Sequence, residues 1–369
     1  MAVAVWLIPR PSQPHAVKVE LLPFDQSIPS WDGSYPSLVI SLDTQSGGAK
    51  FKTGIEKTVP TVKHETPVNQ FEVALDSGMF KVRQTDLFIA DVMPLALTRT
   101  YRVWDDNNRA FGVGANHPYD ICPTGTRFPY TYQNLNLEDG RQIYFPRISI
   151  GTRYEDAVFR HGGTSSEFFD ARDSWNGNGW TLNFPDGRQY LFPEAYLAKS
   201  YAQGAAFEIK DGKGNRIQLK RDNVRNLQQL ISPSGRTISF KYDEGNRIVE
   251  ASDDAGNVRR YTYDYGGHLR IVQDANQVLY RFEYEPLLNA RGYDRYLLTA
   301  VKDGNGKTLL ENRYRDRSRV SQQILANKDV IGFDYIFDAQ HNVIATIVTL
   351  PSGRTRRFLF KDGILAGDQ

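Results

Sequence analysis

A 21-residue period in the C-terminal half of the chain limits the folds that this half can adopt. Gly214, Gly235, Gly256 and Gln277 follow one another at intervals of 21 residues, and columns of aromatic, aliphatic and acidic residues keep the same step. A period this regular predicts one supersecondary unit per repeat. Besides the three glycines, the predicted structural motif consists of Phe240, Tyr242, Asp243, Tyr261, Tyr263, Asp264, Phe282 and Tyr284.

Each repeat has the length of one β-hairpin, since two strands of about six residues and two turns of about four residues fill it. The motif aromatics lie two apart, as in Tyr261 and Tyr263, so each pair faces one side of a strand. A single hairpin cannot bury such a face, and neighbouring hairpins therefore pair edge to edge into a sheet that coils. We expect Gly235 and Gly256 to adopt positive φ in turns, and the six motif aromatics to share one face of one sheet.

The composition favours an all-β fold and indicates no charged partner. Its 20 Tyr, 20 Phe and 30 Gly combine strand-forming aromatics with turn-forming glycines, and helix signals are confined to a short stretch near residues 194–200. The net charge of +2 gives no long-range attraction to nucleic acid or to an anionic membrane.

No segment approaches the roughly 20 consecutive apolar residues of a membrane span. Met1–Pro9 lacks the basic start and the length of an intact signal peptide.

The pattern along the chain predicts three regions. Prolines interrupt the first region, which contains short strand candidates such as Ser37–Leu42. Regular alternation begins near Phe71, with strands predicted at Met79–Arg83 and Leu95–Val103. The regions are an N-terminal cap or leader at 1–70, a β segment at 71–200 and the hairpin array at 201–369.

Two segments 47 residues apart, Asp139–Pro146 and Asp186–Pro193, repeat one another and begin with Asp-Gly. An Asp-Gly pair before a strand is a strong hairpin signal, because glycine accepts positive φ. We therefore expect a hairpin turn at each of the two positions.

The end of the array is less regular. The repeat register breaks from Pro286 to about Arg295 and then resumes in degenerate form. Thr355–Phe360 is predicted to be a strand, and Lys361–Leu365 to be the turn that begins a partner strand which is never completed. Because an unpaired strand offers free N–H and C=O groups, we expect the final edge to be covered by residues 1–70 or paired with a second chain.

The best repeat copy, Gly256–Leu269 with its Tyr263-Asp264 pair, resembles the YD repeats of Rhs proteins, teneurins and the shell subunits of insecticidal toxin complexes. Upstream, Asp86, Arg99, Tyr101, Gly112 and Gly114 lie in motifs that resemble the segment preceding those repeats in Rhs proteins. The chain is thus identified as a member of the Rhs/YD-repeat family. The resemblance implies a hollow β shell around a toxin polypeptide, or an adhesion scaffold, and favours a secreted or cell-surface location.

The sequence indicates neither a metal site nor a catalytic site. Asp211–Asn215 and Asp303–Lys307 are similar to calcium loops, but both coincide with predicted turns and neither ends in the bidentate Glu that such loops use. The six histidines are scattered without an HExxH motif, no GxSxG is present, and Cys122 is the single thiol. We predict no cofactor and no enzymatic activity.

The expected function is that of a non-enzymatic scaffold, a partial or complete shell associated with toxin encapsulation, toxin delivery or cell-surface interaction. Its partners would be a toxin polypeptide, a further YD-repeat segment or a second copy joined edge to edge. The alternative is a carbohydrate- or protein-binding module that uses its tyrosine-rich faces. However, the spacing of the tyrosines, two residues apart within each strand, favours a role in the core. A hydrolase with an acidic cleft is a third hypothesis.

Overall fold

The computed structural model describes residues 2–6, 18–22, 39–43, 48–52, 69–103, 105–163, 167–195, 198–288, 294–315, 318–361 and 364–369. The strands are β1 (Ala2–Trp6), β2 (Lys18–Leu22), β3 (Val39–Asp43), β4 (Gly48–Lys52), β5 (Asn69–Ala74), β6 (Phe80–Ile89), β7 (Leu95–Arg102), β8 (Asn108–Arg109), β9 (Gly112–Val113), β10 (Ala115–Asn116), β11 (Cys122–Gly125), β12 (Tyr132–Asn136), β13 (Gln142–Pro146), β14 (Val158–Arg160), β15 (Arg172–Trp175), β16 (Gly179–Asn183), β17 (Gln189–Pro193), β18 (Glu208–Lys210), β19 (Arg216–Arg221), β20 (Leu227–Ile231), β21 (Thr237–Tyr242), β22 (Ile248–Asp253), β23 (Val258–Tyr263), β24 (Leu269–Gln273), β25 (Val278–Leu288), β26 (Asp294–Asp303), β27 (Thr308–Arg315), β28 (Arg319–Leu325), β29 (Val330–Phe337), β30 (Val343–Thr349), β31 (Thr355–Lys361) and β32 (Ile364–Asp368). A 3₁₀ turn covers Pro118–Asp120, and one helical turn, α1, covers Tyr201–Gly204.

A six-stranded antiparallel sheet forms the upstream part of the molecule, in the order β10-β7-β6-β5-β3-β4. Strand β6 alternates buried and half-buried residues over most of its length, because successive side chains point to opposite faces. The strand candidate at Ser37–Leu42 corresponds to β3, which belongs to this sheet together with β4, so the sheet does not begin at Phe71 as expected. Strand β4 was not predicted, because five residues in a proline-rich region are too few to show a clear alternation.

The repeat sheet consists of β14 to β32, nineteen strands that pair antiparallel in chain order. The 21-residue repeats contribute hairpins such as β21–β22 and β23–β24, as predicted. The pairing shifts register just before the motif tyrosine, between Lys241 and Tyr242 and again between Thr262 and Tyr263. Bulges of this kind increase the right-handed twist of a sheet. The all-β coiled array expected from the sequence is therefore confirmed.

The turns carry the predicted glycines. Gly214, Gly235 and Gly256 lie between strands at φ of +89°, +87° and +87°, which confirms the expectation of positive φ. The two Asp-Gly pairs also form turns, with Gly140 between β12 and β13 at φ +79° and Gly187 between β16 and β17 at φ +86°. Turn chemistry could thus be predicted from local sequence alone.

The helical stretch expected near residues 194–200 is wrong by a few positions. The single helical turn, α1, begins after Ser200, whose backbone is extended at φ −146° and ψ 157°. An extended N-cap residue marks the start of a helix, so α1 begins at Tyr201 and ends at Gly204.

The end of the repeat sheet also differs from the expectation. The strand predicted to lack a partner, β31, pairs with β32, and Leu365 of the predicted turn already pairs with Phe360. The sequence has no second turn signal there, so the short final strand was not recognised. Strand β1 pairs with β2 in a separate sheet, yet its Cα atoms approach those of β32 within 8 Å. An N-terminal strand therefore lies beside the last strand of the repeat sheet, in line with one of the two expected arrangements.

The break in the repeat register marks a longer hairpin. Strands β25 and β26 have 11 and 10 residues and stay paired beyond Glu285, with Pro286 opposite Tyr296. The extra residues lengthen one hairpin of the sheet without interrupting the order of its strands.

One hydrophobic core connects the upstream strands to the repeat sheet. It contains Phe80 and Phe111 from the upstream part together with Phe240, Phe282 and Phe358 from the repeat sheet. The two parts therefore share a single buried interface.

Candidate functional site: the covered face of the repeat sheet

The upstream segment, residues 71–122, packs against the aromatic side of the repeat sheet. We call this side the tyrosine face and define it by Phe240, Tyr242, Tyr261, Tyr263, Phe282 and Tyr284. All six side chains belong to the core or pack against it, which confirms that they share one face of one sheet. Phe240, Tyr261 and Phe282 are only 2 to 4% exposed. The tyrosine face is thus covered by the protein itself and does not form an open ligand surface.

A buried ion pair joins the two parts of the protein. Arg99 Nε lies 3.2 Å from Asp86 Oδ2, and Arg99 Nη2 donates a hydrogen bond to Gln84 Oε1 at 2.8 Å. From the repeat sheet, the Tyr261 hydroxyl donates to the same Asp86 oxygen at 3.0 Å, and the Arg99 guanidinium lies 5.2 Å from the centre of the Phe282 ring. Burial lowers the pKa of Arg99, but the attraction of Asp86 is stronger and the pKa is raised. Loss of one partner of such a pair costs roughly 3–5 kcal/mol.

Aromatic contacts extend the interface on both sides of this ion pair. The rings of Tyr101 and Tyr284 meet edge to face at 6.1 Å, and those of Phe111 and Tyr261 meet at 4.9 Å. Edge-to-face pairs add about 0.5–1.5 kcal/mol each to the gain from burial. Three residues predicted from the upstream motif, Asp86, Arg99 and Tyr101, therefore contact residues predicted from the repeats.

A glycine loop lets the two backbones approach each other. The Val113 N–H donates to Gly267 O at 3.0 Å, and a Cβ added at Gly112 would lie 2.2 Å from the same oxygen. Gly112 and Gly114 adopt φ of +83° and +72°. The loop can therefore pack against the repeat turn only with glycine at position 112.

The motif tyrosines link successive hairpins. The Tyr242 hydroxyl donates to Leu227 O at 2.9 Å, and the Tyr263 hydroxyl donates to Ile248 O at 2.6 Å, in each case 15 residues earlier in the chain. Leu227 and Ile248 are the first residues of β20 and β22, the second strands of the preceding hairpins. Each lies at the β-bulge where the regular pairing of that hairpin is interrupted. The same link recurs from Tyr314 to Leu298 and from Tyr335 to Val320.

The motif aspartates cap the turns. Asp243 Oδ1 accepts the backbone N–H groups of Gly245 and Arg247, both at 2.9 Å, and Asp264 Oδ1 accepts that of His268 at 2.9 Å. Carboxylates that bond their own backbone in this way stabilise turns. The two residues of the Tyr-Asp pair thus have different roles. The tyrosine hydroxyl joins two hairpins, and the aspartate carboxylate caps one turn.

The two segments that are similar to calcium loops have the same geometry. Asp211 Oδ1 accepts the N–H groups of Lys213 and Asn215, and Asp303 Oδ1 accepts those of two residues of its own turn. These carboxylates point into their turns. Over the described ranges, no group of three or more His, Cys, Asp or Glu is arranged to hold a metal ion.

Two isolated groups have strongly shifted pKa values. Burial raises the pKa of the Cys122 thiol to about 12, so this thiol is protonated at neutral pH and is a poor nucleophile. Burial also raises the pKa of Asp173 to about 8, and its Oδ1 has no hydrogen-bond partner. Asp173 pairs with Phe159 and Leu182 in the repeat sheet, in an apolar setting that accounts for the shift.

Asp91 makes a hydrogen-bonded contact that was not predicted from the sequence. Ser232 Oγ donates to Asp91 Oδ2 at 2.5 Å, and the Ser234 N–H donates to the same oxygen at 3.2 Å, with the Ser234 hydroxyl as a third donor. Burial opposes the charge of Asp91, but these bonds lower its pKa to about 2. The sequence contained a signal, because Ser232 stands where the other repeats have Asp.

A second missed contact involves Arg221, which occupies the motif tyrosine column in the first repeat. Its Nη1 donates to Asp120 Oδ1 at 2.9 Å and its Nη2 to Tyr119 O at 2.5 Å. Next to it, the fully buried His117 ring stacks on Phe240 at 6.3 Å. Burial lowers the pKa of His117, so the neutral ring packs as part of the core.

Within the described ranges, the chain has no helix with the length and apolarity that crossing a bilayer requires.

Comparisons with known proteins agree with the position of this interface. Residues 72–145 match a family described as a domain of unknown function, DUF6531. The probable deoxyribonuclease RhsA of Dickeya dadantii (strain 3937) is 25% identical over 257 residues, 63% of this chain and 17% of that protein. The double-stranded DNA deaminase toxin A of Burkholderia cenocepacia (strain H111) is 30% identical over 106 residues, 28% of this chain and 7% of that protein. The chain thus spans a small part of the length of these relatives.

Among solved structures, the crystal structure of TcdB2-TccC3-Cdc42 aligns with 80% of this chain and 16% of that chain, at 12% identity and a TM-score of 0.31.

The matched region and the repeats are the two halves of the same interface. Asp86, Arg99, Tyr101, Gly112 and Gly114 all lie within residues 72–145, and the hairpins that they contact carry the Tyr-Asp motif. Residues 72–145 thus carry a DUF6531 domain and the chain is homologous to Rhs proteins, which together with the hairpin repeats supports the Rhs/YD-repeat resemblance.

Proposed function

We propose that this chain is a non-enzymatic scaffold, a section of β wall associated with a toxin polypeptide and located outside the cell or at its surface. The observation that carries the proposal is the covered tyrosine face. On an open surface the side chains of the tyrosine face would be available to a ligand. Here they contact the upstream segment and fix it to the repeat sheet, as in the Arg99–Asp86–Tyr261 contact. The motif thus builds and rigidifies a wall.

We assign a separate role to each region of the chain. Residues 71–200 would supply the segment that closes one face of the wall and also its first strands, β14 to β17. Residues 201–369 would continue the wall by hairpin repetition, and residues 1–70 would cover its terminal edge. The motif residues of the repeats would act structurally, by linking hairpins and capping turns. Because β32 is the last strand in the sheet order, a further YD-repeat segment or a second copy that displaces the N-terminal strand from β32 would extend the wall there by strand pairing.

An enzymatic role has less support. The relatives are named as a deoxyribonuclease and a deaminase toxin, but this chain corresponds to 17% and 7% of their lengths. The carboxylates of the repeats cap turns, and the thiol of Cys122 is buried and protonated. Incubation of the purified chain with plasmid DNA and with a cytosine-containing duplex should produce neither nicks nor deaminated bases. Product formation that increases with protein concentration would contradict the non-enzymatic assignment.

Shielding of a polypeptide is the direct test of the wall. An unfolded, protease-sensitive reporter would be fused after Gln369, and its cleavage rate compared with that of the free reporter. We expect slower cleavage in the fusion, since a wall restricts access of the protease. Equal rates in a folded fusion would argue against the shell role and would favour a scaffold for surface interaction.

A further inference from the structure

Two loops beside the first strand of the repeat sheet, residues 126–131 and 147–157, present large apolar side chains to solvent. Phe128 is 79% exposed, Ile148 52% and Ile150 97%. We call these three residues the tip patch. Single exposed apolar residues are ordinary on protein surfaces, but several on adjoining loops mark an interaction site.

Arg147 holds the two loops in one arrangement. Its Nη1 donates to Pro129 O at 3.3 Å and to Arg153 O at 3.1 Å, while its Nη2 donates to Ile150 O at 3.2 Å. One guanidinium therefore bonds carbonyl groups of both loops. These bonds fix the backbone beside Phe128 and at Ile150, whose side chains are exposed to solvent.

Arg147 places a positive charge at the base of the patch, in a loop that also contains Glu155 and Asp156. The five hydrogen bonds of Arg147 in the described part of the chain all end on uncharged oxygen atoms, four backbone carbonyls and the Ser149 hydroxyl. The described bonds leave one Nη2 N–H of the guanidinium unused, and a phosphate oxygen can accept it.

Amphipathic aromatic residues lie behind the tips. The Tyr154 ring, 37% exposed, lies 6.0 Å from the Tyr130 ring and 4.8 Å from that of Trp175. Tyrosine and tryptophan are the residues that favour the boundary between headgroups and acyl chains in a bilayer. The exposed apolar side chains of the tip patch, the aromatic rings of Tyr130, Tyr154 and Trp175 behind them, and Arg147 therefore lie close together at one end of the two loops.

We propose that the tip patch inserts into the surface of a phospholipid bilayer, with Phe128 and Ile150 among the acyl chains and Arg147 facing lipid phosphates. The net charge of +2 gives little long-range attraction, so the binding energy comes from burial of the apolar tips and from local phosphate contacts. This property goes beyond the scaffold role and does not depend on it.

Vesicle co-sedimentation tests the proposal directly, with phosphatidylcholine vesicles that contain phosphatidylglycerol. The patch variant is F128S/I150S, and the matched control is V224S/Y265S, which replaces two apolar side chains that are 54% and 109% exposed in repeat turns. We expect the patch variant to partition onto vesicles about tenfold more weakly than the native chain, because two anchoring side chains are lost. The control should bind as the native chain does, and thermal midpoints should be the same for all three.

Three results would overturn the assignment. The native chain could stay in the supernatant, or the patch variant could sediment as well as the native chain does. Light scattering could instead show a dimer that F128S/I150S abolishes, in which case the patch would bind a second copy. Reporter shielding in the fusion with F128S/I150S separates this proposal from the scaffold role, because only membrane partitioning should change.

Discussion

The Ser232 hydroxyl donates a 2.5 Å hydrogen bond to Asp91 across the interface between the repeat sheet and the upstream segment. Ser232 also accepts the Arg236 N–H at 3.0 Å, and so performs the capping role that Asp has in the equivalent turns. The one Ser in the column is therefore explained by a partner 141 residues away, since Asp91 already supplies the carboxylate.

The first prediction concerns this exchange. Ser232→Asp restores the residue of the other repeats but places a second carboxylate against Asp91, and two close carboxylates repel each other. We expect a loss of roughly 1–3 kcal/mol in the free energy of unfolding at pH 7, relieved when Asp91→Asn is added. Urea unfolding of both single variants and the double variant gives the coupling energy. Additive effects would show that the two residues do not interact.

The second prediction compares two glycines with nearly equal φ. Gly112 and Gly256 adopt φ of +83° and +87°, but an added Cβ would meet Gly267 O at 2.2 Å in the first case and nothing within 4 Å in the second. Gly256→Ala should cost about 1–2 kcal/mol, the price of the left-handed conformation. Gly112→Ala should cost several times more, because the loop must also move off the sheet. Similar thermal midpoints for the two variants would contradict the close approach.

The third prediction concerns the links between hairpins. Tyr263→Phe removes the donor to Ile248 O and should cost about 0.5–1.5 kcal/mol or more, since that carbonyl loses its partner. Tyr265→Phe is the matched control, because Tyr265 is fully exposed in the adjoining turn. Chemical denaturation measures both. A cost for Tyr265→Phe as large as that for Tyr263→Phe would show that the link does not stabilise the array.

The fourth prediction concerns pH. The pKa of Asp173 is raised from 3.8 to about 8 by burial, so the folded chain retains a proton that the unfolded chain releases. The contribution of Asp173 to stability is therefore fully present below about pH 4 and is lost as the pH rises through 8, at about 1.4 kcal/mol per pH unit in that window. Asp173→Asn should leave stability at pH 4 nearly unchanged and increase it at pH 8.

Unfolding curves at several pH values test this sign. Glu244→Gln, at an exposed turn position, is the control for loss of a carboxyl group. A native chain whose stability rises between pH 5 and pH 8 relative to Asp173→Asn would contradict the prediction.

Much of the repeat architecture could be predicted from the sequence because its determinants are local. The positive φ of Gly235 and Gly256, the common face of Phe240 and Tyr261, and the hairpin unit all follow from turn chemistry and a two-residue phase. Errors occurred where local signals are weak, as at the five-residue strands β4 and β32. Loop residues such as Phe128 and Ile150 carry no pattern, so the tip patch was not predicted.

The sequence by itself determined the all-β hairpin array, its period and the two sets of residues that the family resemblance marks, because each depends on spacing within one stretch of chain. The tertiary structure decided that these two sets meet. Only the folded chain brings Asp86 and Arg99 to Tyr261, 175 residues beyond Asp86, and covers the tyrosine face. The physical reason is that burial and ion pairing join groups that are close in space, and the order of residues along the chain does not specify which distant surfaces will pack together.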